Sequence, residues 1–212
     1  MENEEHDDFG ARRPIASRSA GWARWLAARL AASAITPNQI SLASIPVAAA
    51  GGALIGFGGS SLAWLAAAIC VQLRLVCNLL DGMVAIEGGR KTPTGALYNE
   101  FPDRIADSFL LIPIGYAVDA PWLGWFAALM AALTAYVRVF GGALGLPQSF
   151  DGIMAKQRRM AVLTLGLVAQ AIETPFAGSR TSLLLTGIVI AAGSVVTCAT
   201  RTRAIARQLT TR

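Results

Sequence analysis

Residues 77–108, CNLLDGMVAIEGGRKTPTGALYNEFPDRIADS, set acidic and amide side chains inside segments otherwise apolar enough to span a membrane. Asn78, Asp81, Gly82 and Ala85 follow the offsets 0, 3, 4 and 7, which put them on one helical face. After a short polar break, Gly95, Asn99, Asp103 and Asp107 repeat every four residues along a second helix. Burying an ionised carboxylate in hydrocarbon costs roughly 2.5–3.5 kcal/mol or more, so two such helices require a partner for their charge. A metal ion, a basic residue or a water-filled cavity would serve.

The composition around this stretch excludes an ordinary soluble domain. Of 212 residues 54% are hydrophobic and 15% charged, with a mean hydropathy of +0.51; soluble domains carry about 25% charged residues. An all-α integral membrane protein is expected. Cys70, Cys77 and Cys198 lie in apolar runs without metal-site spacing and read as small packing residues. The first fourteen residues, MENEEHDDFGARRP, are acidic, then basic, with no apolar h-region. They read as a disordered tail, 1–14, in which His6 is simply solvated.

Outward from the central stretch, residues 15–35 carry Trp22, Trp25, Leu26 and Leu30 at helical spacing among Arg18, Arg24 and Arg29, the pattern of an amphipathic helix lying in the membrane interface. Thr36-Pro37-Asn38-Gln39 marks a helix start, with Thr36 as N-cap, Pro37 at the first helical position and Gln39 completing a capping box. Six spans follow within a membrane domain, 36–205, near 37–57, 62–86, 95–118, 122–141, 159–176 and 182–200, each near the roughly 20 residues a bilayer requires. Gly52 and Gly56 favour close approach of another helix. Pro102 predicts a kink just before Asp103, Glu173 shortens the fifth span, and 206–212 forms a basic tail.

Basic residues test this topology. Five precede residue 39, two lie in 87–94, three in 142–160 and four in 201–212, whereas the opposite-side loops contribute Arg180 alone. The net charge of +5 therefore reflects positive-inside orientation and not nucleic-acid binding: both termini and the polar cluster face the cytoplasm of an inner-membrane, multi-pass protein. The remaining basic residues, Arg74, Arg104 and Arg138, lie inside spans and become functional candidates. Carboxylate and amide oxygens without histidine or thiolate suit a hard cation, Mg2+ or Mn2+.

The stretch resembles the signature of the CDP-alcohol phosphotransferases (CDP-alcohol phosphatidyltransferases), D-x2-D-G-x2-A-R-x8-G-x3-D-x3-D. On this chain it reads Asn78-x2-Asp81-Gly82-x2-Ala85-Ile86-x8-Gly95-x3-Asn99-x3-Asp103, with every spacing kept. Asn78 and Asn99 stand where the family has aspartate, and Ile86 where it has arginine. The resemblance implies six spans, a two-metal centre, CDP-diacylglycerol as donor, an alcohol acceptor, CMP as leaving group and a homodimer. By carry-over, Asn78, Asp81, Asn99 and Asp103 are metal ligands, Asp103 is also the general base, and Gly82, Ala85 and Gly95 border the nucleotide.

The two asparagines lower the ligand charge from −4 to −2, which weakens a pair of divalent ions. Asp107, one turn past Asp103, is a candidate to restore a metal site. Glu100 is another, although it stands four residues before Arg104 in the favourable order for an ion pair. Arg138, Lys156 and Arg159 are candidates for a phosphate on acceptor or donor; Lys156, Arg158 and Arg159 are expected in the loop before the fifth span. Arg74, on the face of Asn78 and Asp81, would replace the missing loop arginine or neutralise Asp81. Two alternatives stay open at this point: a family member without catalysis, acting in binding or assembly, and a membrane carrier using the intramembrane carboxylates.

Overall fold

The computed structural model describes residues 20–90 and 92–211, with the backbone alone at Glu87. The expected tail 1–14 with His6, and residues 15–19 of the expected interfacial helix, lie outside the described residues. Within them the chain forms seven helices: α1 (Gly21–Ala31), α2 (Pro37–Phe57), α3 (Ser61–Glu87), α4 (Gly95–Ala117), α5 (Pro121–Ala143), α6 (Lys156–Ala177) and α7 (Thr181–Thr210).

Local chemistry sets several of these ends. The Gln39 amide N–H donates to Thr36 Oγ1 at 3.3 Å and the Thr36 N–H donates to Gln39 Oε1 at 2.9 Å, so the capping box forms as expected. Ser60 caps α3 by accepting from the Ala63 N–H at 3.2 Å. Glu173 plays a part that its polarity alone concealed. It does not truncate α6; its carboxylate accepts from the N–H groups of Thr181 and Ser182 at 2.9 and 2.7 Å, satisfying the exposed donors at the start of α7. Gln170 secures the same turn through the Ser179 carbonyl and the Leu183 N–H.

Two further boundaries differ from expectation. Lys156, Arg158 and Arg159 occupy the first turn of α6 and not the preceding loop, since Lys156 and Arg159 turn inward to the carboxylates of Asp103 and Asp107, which take up their charge. α7 continues through the expected basic tail to Thr210, because RTRAIARQLT contains no glycine or proline to stop it.

The six long helices close into a ring in the order α2, α3, α6, α7, α5, α4 and back to α2, with α4 also touching α7 across it. Small residues set the spacing. A Cβ on Gly52 would stand 2.1 Å from the Phe109 carbonyl oxygen, so α2 and α4 meet backbone to backbone. Gly115 and Gly124 do the same for α4 and α5. The ring interior holds Trp64, Leu110, Leu111, Ile114, Met160, Leu163, Leu167 and Leu183, all but excluded from solvent. The outside is apolar too, with Phe57, Leu62, Trp122, Leu165 and Phe176 exposed. Helices hydrophobic all round belong in a bilayer.

By length and composition five helices can cross a membrane: α2, α3, α5, α6 and α7. α4 has comparable length but carries Glu100, Asp103, Arg104 and Asp107 in its first half. α1 lies against α3, burying Ala23 and Ala27 in a second small cluster with Ile40, Leu79, Leu80, Met83 and Val84. Its Trp22 and Trp25 face outward, and Arg29 sits over the Trp25 ring at 5.1 Å.

Candidate active site

The polar cluster forms where α3, α4 and α6 meet inside the ring. From α3, the 3.6-residue period brings Arg74, Asn78 and Asp81 to one face. From α4, Asp103 and Asp107 are stacked one turn apart, and both are buried. α6 contributes Lys156 and Arg159 from its first turn.

Asp103 is the centre of this network. Its Oδ1 accepts from Asn78 Nδ2 at 2.7 Å and from Arg74 Nη2 at 3.1 Å. Its Oδ2 pairs with the Lys156 ammonium and lies 3.5 Å from Arg104 Nη2. Asp107 stands between two arginines, with Oδ1 2.6 Å from Arg74 Nη2 and Oδ2 2.5 Å from Arg159 Nη2. Arg74 is 0% exposed, Arg159 1% and Asp107 2%, so these charges have exchanged water for one another completely. Arg159 also donates to the Met154 carbonyl at 3.3 Å.

Asp81 is set apart from the arginines. It accepts from Ser41 Oγ of α2 at 2.5 Å and makes no ion pair among the described residues. Gly82 and Ala85 follow it, half-buried, on α3. Asn99 is exposed on the first turn of α4, which begins at Gly95.

Two expectations give way to this geometry. Arg74 serves Asp103 and Asp107 and not Asp81, because its side chain crosses from α3 to α4. Glu100 does not pair with Arg104: it accepts from Arg138 of α5, while Arg104 turns to Asp103. Arg138, half-buried, reaches from α5 to α4 for this contact. It also donates to Gln148 Oε1 at 2.5 Å and lies over the Phe150 ring at 4.9 Å.

Two residues of the site region escaped sequence reading. Ser41 sits one turn after the capped start of α2, and only its contact with Asp81 marks it. Arg201, counted with the tail, is buried and donates to the carbonyls of Thr134 and Asp151 at 2.5 and 2.8 Å, fastening the segment before α6 to α5 and α7. Its position directly after the apolar run 182–200 was the available signal.

Among the described residues no three carboxylate, histidine or cysteine side chains converge on one point. With amides at 78 and 99, oxygen donors for a hard cation remain on Asp81, Asn78, Asn99 and Asp103, while Asp107 has both carboxylate oxygens against guanidinium groups.

No family model matches the chain. Individual relatives do. Phosphatidylinositol phosphate synthase of Corynebacterium glutamicum is 30% identical over 151 residues, covering 68% of this chain and 67% of the relative. The chain belongs to the CDP-alcohol phosphatidyltransferase family. This family of transferases works in phospholipid biosynthesis, and membership sets the carrier alternative aside. Inner membrane protein YnbA of Escherichia coli is 27% identical over 139 residues, or 65% of this chain and 69% of that one. The fold agrees. Crystal structures of Mycobacterium tuberculosis phosphatidylinositol phosphate synthase, one with CDP-DAG bound and one in complex with manganese and citrate, each superpose with a TM-score of 0.74 at 21% identity. They cover 86% of this chain and 92% and 88% of theirs. This CDP-alcohol phosphatidyltransferase therefore shares a multi-pass helical fold with solved members of its family.

Proposed function

We propose that this chain transfers a phosphatidyl group from CDP-diacylglycerol to an alcohol acceptor, an inositol phosphate, releasing CMP. The observation that carries the reading is Asp81 and Asp103 at signature spacing on α3 and α4, two helices joined by the Asn78–Asp103 hydrogen bond, with Lys156 against the second carboxylate. The acceptor class is supported by the names of three relatives, two phosphatidylinositol phosphate synthases and an archaetidylinositol phosphate synthase, and by the basic residues Arg138, Lys156 and Arg159 near α4.

Asp103 would take the proton of the acceptor hydroxyl, whose oxygen attacks phosphorus as the bond to CMP breaks. Asn78, whose side-chain amide donates a hydrogen bond to Oδ1, fixes the Asp103 rotamer for that task. Gly82, Ala85 and Gly95 leave room for the nucleotide to approach the backbone. A divalent ion, Mg2+ or Mn2+, fits the oxygens of Asp81, Asn78, Asn99 and Asp103, and when bound would neutralise the diphosphate of the donor.

The same reading makes α4 a sixth span whose charges face the ring interior, α1 an interfacial helix with its tryptophans at headgroup level, and both termini and the site cytoplasmic. Fourteen of 18 basic residues on one side support that orientation. A homodimer belongs to the reading through the family resemblance, and its mass in nanodiscs tests it. For the activity, purified protein is given CDP-diacylglycerol, Mn2+ and a panel of inositol phosphate, inositol, glycerol phosphate and serine. CMP release with inositol phosphate, abolished by Asp103→Asn, is expected. No release with any acceptor, with CDP-diacylglycerol bound, would instead mark a member that has lost catalysis.

A further inference from the structure

We infer that Arg74 is a resident cation supplying the charge that a second divalent ion would bring to Asp103, so that this site works with one ion where the family signature implies two. The inference rests on the function proposed above and concerns only how the site is charged.

The first observation is the bridging position of one nitrogen. Arg74 Nη2 lies 3.1 Å from Asp103 Oδ1 and 2.6 Å from Asp107 Oδ1, joining two carboxylates one helical turn apart, as a bridging metal ion does. A guanidinium keeps its proton at any working pH, so the charge is permanent. Arg74 is fully buried, and its Nε and Nη1 have no hydrogen-bond partner among the described residues.

The second observation concerns Asn78. Its Nδ2 donates at 2.7 Å to the same Asp103 oxygen that Arg74 contacts. A carboxylate at 78 would face that oxygen with like charge and would require a cation between them. The amide turns the repulsion into a hydrogen bond. Asparagine at 78 and arginine at 74 are thus complementary: together they satisfy Asp103 Oδ1 from within the protein.

Charge counting points the same way. Asp103 and Asp107 already face four cations, Arg74, Arg104, Lys156 and Arg159. A divalent ion placed between these two aspartates would meet Arg74 at contact range. Asp81, whose partner is the neutral Ser41 hydroxyl, makes no ion pair among the described residues and is the carboxylate left available to one ion.

Manganese titration of the purified full-length chain, followed by calorimetry and by electron paramagnetic resonance, tests this directly. One Mn2+ per chain with an uncoupled six-line spectrum is expected. Two per chain, an exchange-coupled spectrum, or no binding at millimolar Mn2+ would each overturn the inference. The variant Arg74→Met/Asn78→Asp/Asn99→Asp should take up a second ion and show exchange coupling. Should that variant fail to fold, Asn78→Asp/Asn99→Asp, with Arg74 retained, should still hold one; two ions there refute the role of Arg74. CMP release is followed separately. One bound Mn2+ without turnover refutes the proposed function and leaves the inference standing, whereas turnover with two ions refutes the inference alone.

Discussion

Replacing Asp107 by asparagine removes one charge and almost no volume from the point where α3, α4 and α6 are pinned together. The carboxylate faces Arg74 Nη2 at 2.6 Å and Arg159 Nη2 at 2.5 Å. With charge centres about 4 Å apart and an effective dielectric near 20, each arginine is attracted by about 4 kcal/mol. Asp107→Asn forfeits both attractions and leaves two buried guanidinium groups sharing one neutral amide. Breaking a single buried pair costs about 3–5 kcal/mol, so at least about 3 kcal/mol is expected here. For a chain of this length that is a fall in Tm of at least about 6 °C. Thermal unfolding in detergent, followed by circular dichroism, measures it, and the fall should be the same in EDTA and in Mn2+. A variant melting within about 2 °C of wild type would refute the pinning argument. A loss seen in Mn2+ alone would return Asp107 to the metal ligands.

Other perturbations test other links. Gly52→Ala forces a methyl group toward the Phe109 carbonyl and should cost about 1–3 kcal/mol, read as a lowered melting temperature with the activity per folded molecule retained. Glu173→Ala strips the cap from α7 and should cost about 1 kcal/mol, with faster amide exchange confined to Thr181 and Ser182. Arg138→Met should raise the KM for inositol phosphate about tenfold or more, with the KM for CDP-diacylglycerol unchanged; equal effects on both would remove Arg138 from the acceptor site. Asp103→Asn should lower kcat by a factor of about 100–10,000, the range for loss of a general base.

Much of this architecture could be read along the chain because its signals are local. The capping box at Thr36 and Gln39 uses atoms three residues apart. Unbroken apolar runs set α2, α3 and α5 with nearly the expected ends, and the glycine at 52 foretold a close neighbour. What could not be read is which helix would be that neighbour. The ring order brings α3 beside α6, some 80 residues on, and no periodicity encodes such a pairing. For the same reason the partners of Arg74 and Glu100 were misassigned: helical spacing identifies neighbours on one cylinder, while a long guanidinium side chain chooses among neighbours on the next. Lys156 and Glu173 show a related limit. Lys156 read as a loop residue and Glu173 as shortening its span, because polarity within a window says nothing of a side chain that turns inward to a buried carboxylate or across to the following helix. The positions of Asn78 and Asp103 were legible as a motif, but their direct hydrogen bond was not.

The closed ring has a consequence for how the protein is made. Synthesis delivers α2 to α5 before α6, yet it is α6 that carries Lys156 and Arg159 to Asp103 and Asp107 and fits between α3 and α7. Until that helix arrives, Asp107 has Arg74 alone and the ring has a gap. α6 completes the charge network and α7, which follows it, closes the wall between α6 and α5, so a molecule whose last two helices have not joined also lacks a finished site.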